Sequence, residues 1–524
     1  MPLLECTGAR AERLLSDNDV PSRKVGLWGM KLAVLLLYAA LLGGGWQATP
    51  ADEDTLKAIE VDEFHRTIEP VLVASLDAQP RIAARAALAI GRTKRPEGAA
   101  PLRAHIDAAD PSVRALVTYG LGLLGDAASA PQIRALARSD PSSAVRYAAV
   151  DALGRIGAAN PAAATQNVAG LLLAVARSDA DPVVRGHAAA QLDPFTKSEG
   201  APRIAAALEQ IEIRERDSGV RWHAAWMLFR GYAKFADFNF LTREAHDRDE
   251  LVRVETVRAL GRRKELAAIA VVRPLLHDPS WRVQLEAGEA LRRLTLELPT
   301  QHLKTFPAGL HRPDVHAPPS TSDFPLPRTY ESDKPVAAAL PTASPKAAPA
   351  DPQGFALGGP LMPQTASDMD GPIAGPHPRV LLRTTVGDVV VRLYPEWAPS
   401  TVANFLARVD DGYFNGNRWF RIVPDFVVQT GDPTNTGDGD PGYTIPAEEN
   451  PIEQRAGIIA MGLDYENGGP KRDSAGTQFY VTLSPQLHLD RAFSVFGEIE
   501  SGFTVLANLT ESDGIETATR IADN

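Results

Sequence analysis

Between residues 55 and 298 apolar positions recur at i, i+3, i+4 and i+7, the spacing of one face of a helix. Each run opens in the same way, as in DPSVRALVTYGLGLLG from Asp110, DPSSAVRYAAVDALGRIG from Asp140 and DPVVRGHAAAQL from Asp181. The pattern returns in DSGVRWHAAWML from Asp217, DELVRVETVRALG from Asp249 and DPSWRVQLEAGEAL from Asp278. Asp accepts the unpaired N–H groups of a first helical turn, and Pro fills a place where an N–H would go unused, so each opening predicts a helix start. Arg114, Arg146, Arg185, Arg221, Arg253 and Arg282 are spaced by 32, 39, 36, 32 and 29 residues, one helical hairpin per period. A degenerate earlier copy, QPRIAARAALAIG, begins at Gln79. The expected product is a stack of helix pairs in which the Asp and Arg of successive repeats pair as a structural ladder.

Two features inside this array invite functional readings. Gly120 to Gly125 spell GxGxxG, but within a predicted helix, and Gly91, Gly154 and Gly261 recur at the matching place; helix packing is expected there, not a dinucleotide. The histidines of WHAAW (Trp222–Trp226) and HDRDE (His246–Glu250) are expected in core and loop. Neither offers two histidines at i, i+4 with an acidic partner, so no metal site is expected.

The helical period stops at residue 299. Residues 299–377 are rich in Pro, Ala and Ser, as in KPVAAALPTASPKAAPADPQG, and bury too little apolar surface to offset ordering entropy; a tether is expected. From Pro378 the period becomes two. RVLLRTTVGDVVVRLYP predicts a hairpin turning near Val386–Asp388, and APSTVANFLARVDDGY a helix begun by Pro399 and Ser400. Further β-rich segments and a second helix near Ser501–Leu509 predict a closed β-barrel with two capping helices over residues 378–524.

A chain of 524 residues exceeds what one core supports, which agrees with two folded units. A formal charge of -11 gives phosphate backbones no electrostatic attraction, so no nucleic-acid partner is expected. The only cysteine is Cys6, which excludes an intrachain disulfide. Arg23, Lys24 and Lys31 precede an apolar run from Leu32 to Leu42, the layout of an export signal, too short to span a bilayer comfortably. Residues 1–48 are therefore expected to direct export to the periplasm, with Met30 a plausible true start and an inner-membrane anchor the alternative.

The array resembles the HEAT-type α-solenoid family, which implies a protein partner on its surface. After Pro378, TTVGDVVVRLYPEWAPSTVANF, WFRIVPDFVVQTGDPTNTGDGDPGY, RAGIIAM, SAGTQFYVTLSP and HLDRAFSVFGEI together resemble the cyclophilin family of peptidyl-prolyl cis-trans isomerases, in order and without a large gap. The resemblance implies an enzyme that assists protein folding by isomerising X-Pro bonds of proline-containing polypeptides, with no cofactor and no metal. It gives Arg421 and Gln429 the catalytic places and puts Phe426, Val427, Tyr480, Leu489, His488, Phe493 and Met461 in substrate binding. Phe479 is expected to face the core. The rival expectation is a scaffold that holds proline segments without turning them over.

The chemistry suits these residue types. An X-Pro bond rotates over a barrier of about 18 to 20 kcal/mol because resonance stiffens the C–N bond. A donor aimed at the prolyl nitrogen stabilises the twisted amide without any bond being broken. Arginine keeps its charge and presents a planar fork of donors. The chain departs from the family where Trp419-Phe420 replaces Phe-His, where Val427 replaces a methionine, Tyr480 a phenylalanine, His488 a tryptophan and Phe493 a histidine. The loss of tryptophan at 488 counts against tight cyclosporin binding. The loop Gly462–Asp473 is longer than usual, and DPTNTGDGD resembles a calcium loop without its closing Glu.

Overall fold

A computed structural model of the chain describes residues 49–159, 161–296, 377–466 and 469–521. The expected export segment, and all of the expected tether except His377, lie outside the described residues. The N-terminal part is the expected stack of helix pairs, beginning at Pro50 rather than residue 55 because Thr49 and Asp52 close a capping box. One layer holds Pro50–His65, Pro80–Thr93, Pro111–Leu123, Ser143–Ala159, Pro182–Ala190, Ser218–Met227, Glu250–Arg263 and Trp281–Leu296, each packed on the next. The second layer includes Ala130–Ser139, Pro161–Ser178, Ala201–Arg214 and Phe238–Glu244.

The repeated Asp caps work as the sequence implies: Asp110 accepts from Ser112 and Val113, Asp181 from Val183, Asp217 from Val220 and Asp249 from Leu251. The arginine ladder is also present. Arg114 grips Asp140 through two bonds of 3.0 Å, Arg146 grips Asp179 at 2.8 Å, and Arg253 grips Asp278 at 2.9 and 2.8 Å. Arg185 pairs with Glu215, and Arg221 with Asp247. The GxGxxG glycines are packing residues: a Cβ on Gly91 would lie 2.5 Å from the Gly120 Cα, and one on Gly122 would lie 2.6 Å from the Ala152 Cα.

The C-terminal part contains β1 Arg379–Thr384, β2 Gly387–Leu393, β3 Arg421–Val423, β4 Val427–Thr430, β5 Ile458–Met461, β6 Tyr465–Glu466, β7 Gly469–Pro470, β8 Phe479–Thr482, β9 Val495–Ser501 and β10 Ile515–Ile521. Eight of these make one antiparallel sheet in the order β10-β1-β2-β9-β5-β8-β4-β3, while β6 and β7 form a small hairpin in the 462–473 loop. Helices Pro399–Asp410 and Phe503–Ala507 accompany the sheet, close to the expected places. The inner core combines Val380, Leu382, Val391, Val428, Phe479 and Phe496 with Phe405 of the longer helix, whose ring lies 5.1 to 5.4 Å from Phe414, Phe496 and Phe479.

The expected barrel takes the form of a curled sheet, a half-barrel. Its edge strands β3 and β10 are not paired with each other. A short seam joins the segment before β3 to the start of β10, through Gly416 N to Ile515 O at 2.7 Å and Trp419 N to Asp513 O at 3.1 Å. Period-two alternation says which residues face inward, but closure depends on how two distant edges meet, which no local pattern encodes.

The sheet domain is docked along the array. Arg92 is fully buried and donates to the carbonyls of Glu449 and Trp397 at 2.6 Å and to Glu63 at 2.8 Å. Arg85 shares Glu63, and these two cations overcome burial to hold its carboxyl down to about 2. Further along, Arg66 reaches Ala447 O and Asp473, Arg491 reaches Asp151, and Glu453 lies between His187 at 3.0 Å and His223 at 3.5 Å. Arg282 has no following repeat among the described residues and spends its Nε on Asp425 of the sheet domain at 2.8 Å.

Two stability outcomes are expected. Arg253→Ala leaves Asp278 buried without its cation and should cost about 3 kcal/mol in denaturant unfolding; a loss below about 0.5 kcal/mol would contradict the ladder. Arg92→Ala removes the bonds to the Glu449, Trp397 and Glu448 carbonyls across the domain boundary and leaves Glu63 short of a partner. It should split one calorimetric transition into two, whereas an unchanged single transition would show that this contact does not couple the domains.

Candidate active site

Strands β3 and β4 form a tight hairpin in which Arg421 stands opposite Gln429, Ile422 opposite Val428, and Val423 opposite Val427. Its turn is Pro424-Asp425, with Asp425 in the left-handed region at φ 56° and Phe426 N returning to Val423 O at 3.1 Å. On the next strand Gln429 faces Tyr480, which faces Ala460 of β5, which faces Val495 of β9. Arg421, Gln429, Tyr480, Ala460 and Val495 therefore form one row across five strands. Side chains alternate faces along a strand, so neighbours of the row, Val428, Phe479 and Met461, point into the inner core.

The Arg421 guanidinium is exposed, donates from Nη1 to Gln429 Oε1 at 3.2 Å, and sits 5.4 Å from the centroid of the Phe426 ring. Gln429 is oriented in turn, donating Nε2 to Gln478 Oε1 at 3.0 Å; Gln478 donates to Gly437 O and Gly439 O at 2.9 Å each. That loop is organised by Asp432, whose carboxylate accepts from the backbone N–H groups of Thr434, Thr436, Gly437 and Gly439. Burial works against its charge, but these N–H bonds hold its pKa below the usual carboxylate value. The segment that resembled a calcium loop thus spends its first carboxylate on its own backbone.

Beside the cation lie Phe426, Val427, Tyr480, Leu489 and Phe493, the apolar residues that the cyclophilin resemblance assigns to a proline slot. Tyr480 and Phe493 meet edge to face at 5.6 Å, and Val427, Tyr480, Leu489 and Phe493 are buried. The Tyr480 hydroxyl does not spoil the slot, because it donates to the buried Gln454 Oε1 at 2.6 Å, and Gln454 donates onward to Leu489 O at 2.8 Å. His488 stacks on Phe426 at 5.6 Å and keeps an exposed face. Enclosure by surrounding protein, then the charges of Arg230 and Arg258 from the array, push its pKa down to about 4, so it is neutral at physiological pH. Ser484 donates to Asp425 O rather than to His488, which leaves no hydrolytic pair.

Eight of the nine sequence-predicted site residues gather here. Met461 does not: it faces Phe479 on the next strand and packs in the inner core, because it stands one residue out of phase with Ala460. Sequence reasoning missed Gln454 and Gln478. Their signal was present only as polar residues placed where strands and loops are otherwise apolar.

An exposed cation beside a buried apolar slot, on the outer face of a curled antiparallel sheet, is the arrangement of a proline-binding isomerase. The family model described as cyclophilin type peptidyl-prolyl cis-trans isomerase/CLD matches residues 379–523, and that for HEAT repeats matches 68–154, 100–192 and 238–306. The chain is 41% identical over 123 residues to peptidyl-prolyl cis-trans isomerase B of Bacillus subtilis, covering 23% of this chain and 82% of that protein. It is 34% identical over 147 residues to the peptidyl-prolyl cis-trans isomerase of Synechococcus elongatus, covering 28% and 97%. A solved cyclophilin-type isomerase of Cryptosporidium parvum shares 26% identity over 28% of this chain and 99% of its own, with a TM-score of 0.27. Through its C-terminal domain the chain belongs to the cyclophilin family of peptidyl-prolyl cis-trans isomerases, and it carries HEAT repeats in front of that domain.

At the domain boundary His187, bonded to Glu453, should respond to pH. Burial would lower the His187 pKa, but its bonds to Asp151 and Glu453 raise it. Protonated His187 therefore contributes stability in full below the ordinary histidine value of about 6.5, and the contribution is lost as pH climbs through the raised folded value. His187→Gln should flatten the fall in melting temperature as pH rises above about 6.5. Parallel pH profiles for the two proteins would rule out His187 as the group responsible.

Proposed function

We propose that this HEAT-repeat cyclophilin isomerises X-Pro bonds through Arg421, with Gln429 orienting both the substrate backbone and the guanidinium. Phe426, Val427, Tyr480, Leu489 and Phe493 hold the proline ring, and His488 forms a neutral rim. The observation that carries this reading is the 3.2 Å bond between Arg421 and Gln429 directly beside the slot. As the C–N bond twists, the prolyl nitrogen recovers its lone pair, and a fixed charged donor then interacts with it more strongly than with the flat amide. Neither a nucleophile nor a cofactor is required for such a rotation.

The substrates are proline-containing segments of other polypeptides, and the array supplies protein-binding surface in addition to the part occupied by its own sheet domain. Export to the periplasm is the proposed location, supported by the basic residues Arg23, Lys24 and Lys31 ahead of the apolar run Leu32–Leu42. Among the described residues no helix is long and apolar enough to cross a membrane.

Arg421→Ala in the full chain should lower kcat/KM about 100-fold or more in a protease-coupled proline-peptide assay, the scale seen when one charge-stabilising donor is removed. Its fold should be unchanged, because the side chain is exposed. Equal rates for variant and parent would end the catalytic assignment and favour a proline-holding scaffold.

A further inference from the structure

The space in front of Arg421 is larger than one dipeptide requires, and the isomerase domain does not enclose it alone. A cavity of about 2060 Å3 is lined by Arg421 and Gln429, by the β3–β4 turn at Pro424 and Asp425, and by Trp281 and Arg282 of the array. Pockets for small molecules occupy about 300 to 1000 Å3, so this space suits several residues of an extended polypeptide.

Arg282 is already committed. Its Nε donates to Asp425 at 2.8 Å, its Nη1 donates to Glu250 at 2.9 Å, and its guanidinium carbon lies 5.0 Å from the Trp281 ring centroid. Through Arg282 the neighbouring indole shares a cavity wall with the turn. Trp281 is only half-buried, and Val423, Pro424 and Leu483 line the same space, so apolar side chains flank the Arg282–Asp425 pair at this end of the cavity. From Arg421 to the Asp425 turn gripped by Arg282 the chain runs four residues, at most about 13 Å at 3.3 Å per residue. A peptide with its X-Pro bond at Arg421 therefore brings a side chain about three to five positions away to the level of Trp281.

We infer that Trp281 is a specificity-determining residue of the isomerase, an aromatic platform contributed by the HEAT array. It receives a bulky apolar side chain located three to five residues from the isomerised proline. The inference rests on the Arg421 isomerase reading and adds to it the class of substrate: long, extended segments carrying an apolar residue at that distance. The array then selects substrate directly at the site, besides any binding it performs elsewhere.

The test uses the full chain and NMR exchange measurement of cis-trans rates in two kinds of peptide with the same X-Pro core. One is a tetrapeptide; the other has about twelve residues, with Leu or Ser placed four positions from the proline on either side. The parent should turn over a Leu-bearing long peptide about tenfold better, by kcat/KM, than its Ser counterpart, and Trp281→Ala should abolish that preference. Trp281→Phe should retain most of it, and tetrapeptide rates should stay within about twofold in both variants. A Leu preference that survives Trp281→Ala would overturn the inference, as would tetrapeptide rates that fall in step with long-peptide rates, which would mark Trp281 as support for the fold. A parent inert toward both peptides would instead refute the isomerase reading underneath.

Discussion

The chemistry of the site depends on the register of one short hairpin. Arg421, Gln429 and Tyr480 share the outer face of the sheet only because β3, β4 and β8 pair as they do, and a slip of one residue would send Arg421 toward Phe479 and Val428 in the inner core. A three-residue strand cannot hold its register by pairing alone. The turn does so, with Asp425 at positive φ, Phe426 bonded back to Val423, and Leu483 N held by Phe426 O at 2.8 Å. Arg258 and Arg282 of the array both reach the Asp425 carboxylate, so the repeats act on the very residue that sets the hairpin.

The repeats were legible because each carries its own instructions. An Asp cap, a first-turn Pro and a helical spacing of apolar residues suffice for a helix start, and the regular return of Arg predicts the ladder that Arg114, Arg146 and Arg253 form. The row Arg421, Gln429 and Tyr480 was likewise within reach, since family resemblance placed each residue in a strand whose period is two. Met461 shows the limit: resemblance located the strand, but only the phase of its pleat decides that Ala460 faces the slot while Met461 faces Phe479. The seam of the curled sheet was illegible for a related reason, because Gly416 and Ile515 lie far apart in the chain and meet only through tertiary curvature.

The docking of the two domains was not legible at all. Arg92 finds its carbonyl partners 305 to 357 residues away, and nothing in the stretch around it distinguishes it from a ladder arginine. Its guanidinium is satisfied by carbonyls and by Glu63, as a buried cation requires. Such pairs add little net stability over apolar packing, yet leaving one partner alone is costly, so they favour one arrangement over near alternatives. His187, His223 and Glu453 extend the same logic. A histidine in a helical repeat reads as core until a carboxylate from another domain is seen beside it.

Against this background the surroundings of Arg421 are unusual. Arg92, Arg114, Arg146, Arg253, Arg258 and Arg282 each face at least one carboxylate. Arg421 has a neutral amide on one side and an aromatic ring on the other, and among the described residues no ion pair claims it. A carboxylate there would bind the guanidinium more tightly and hold it still, but it would also neutralise the field that a twisting amide must feel. Gln429 supplies orientation without that loss, and Gln478 with the Asp432 loop keeps Gln429 from turning its N–H group toward the cation. The negative charge that organises the site is thereby kept one loop away, spent on backbone N–H groups, while the positive charge is left for the substrate.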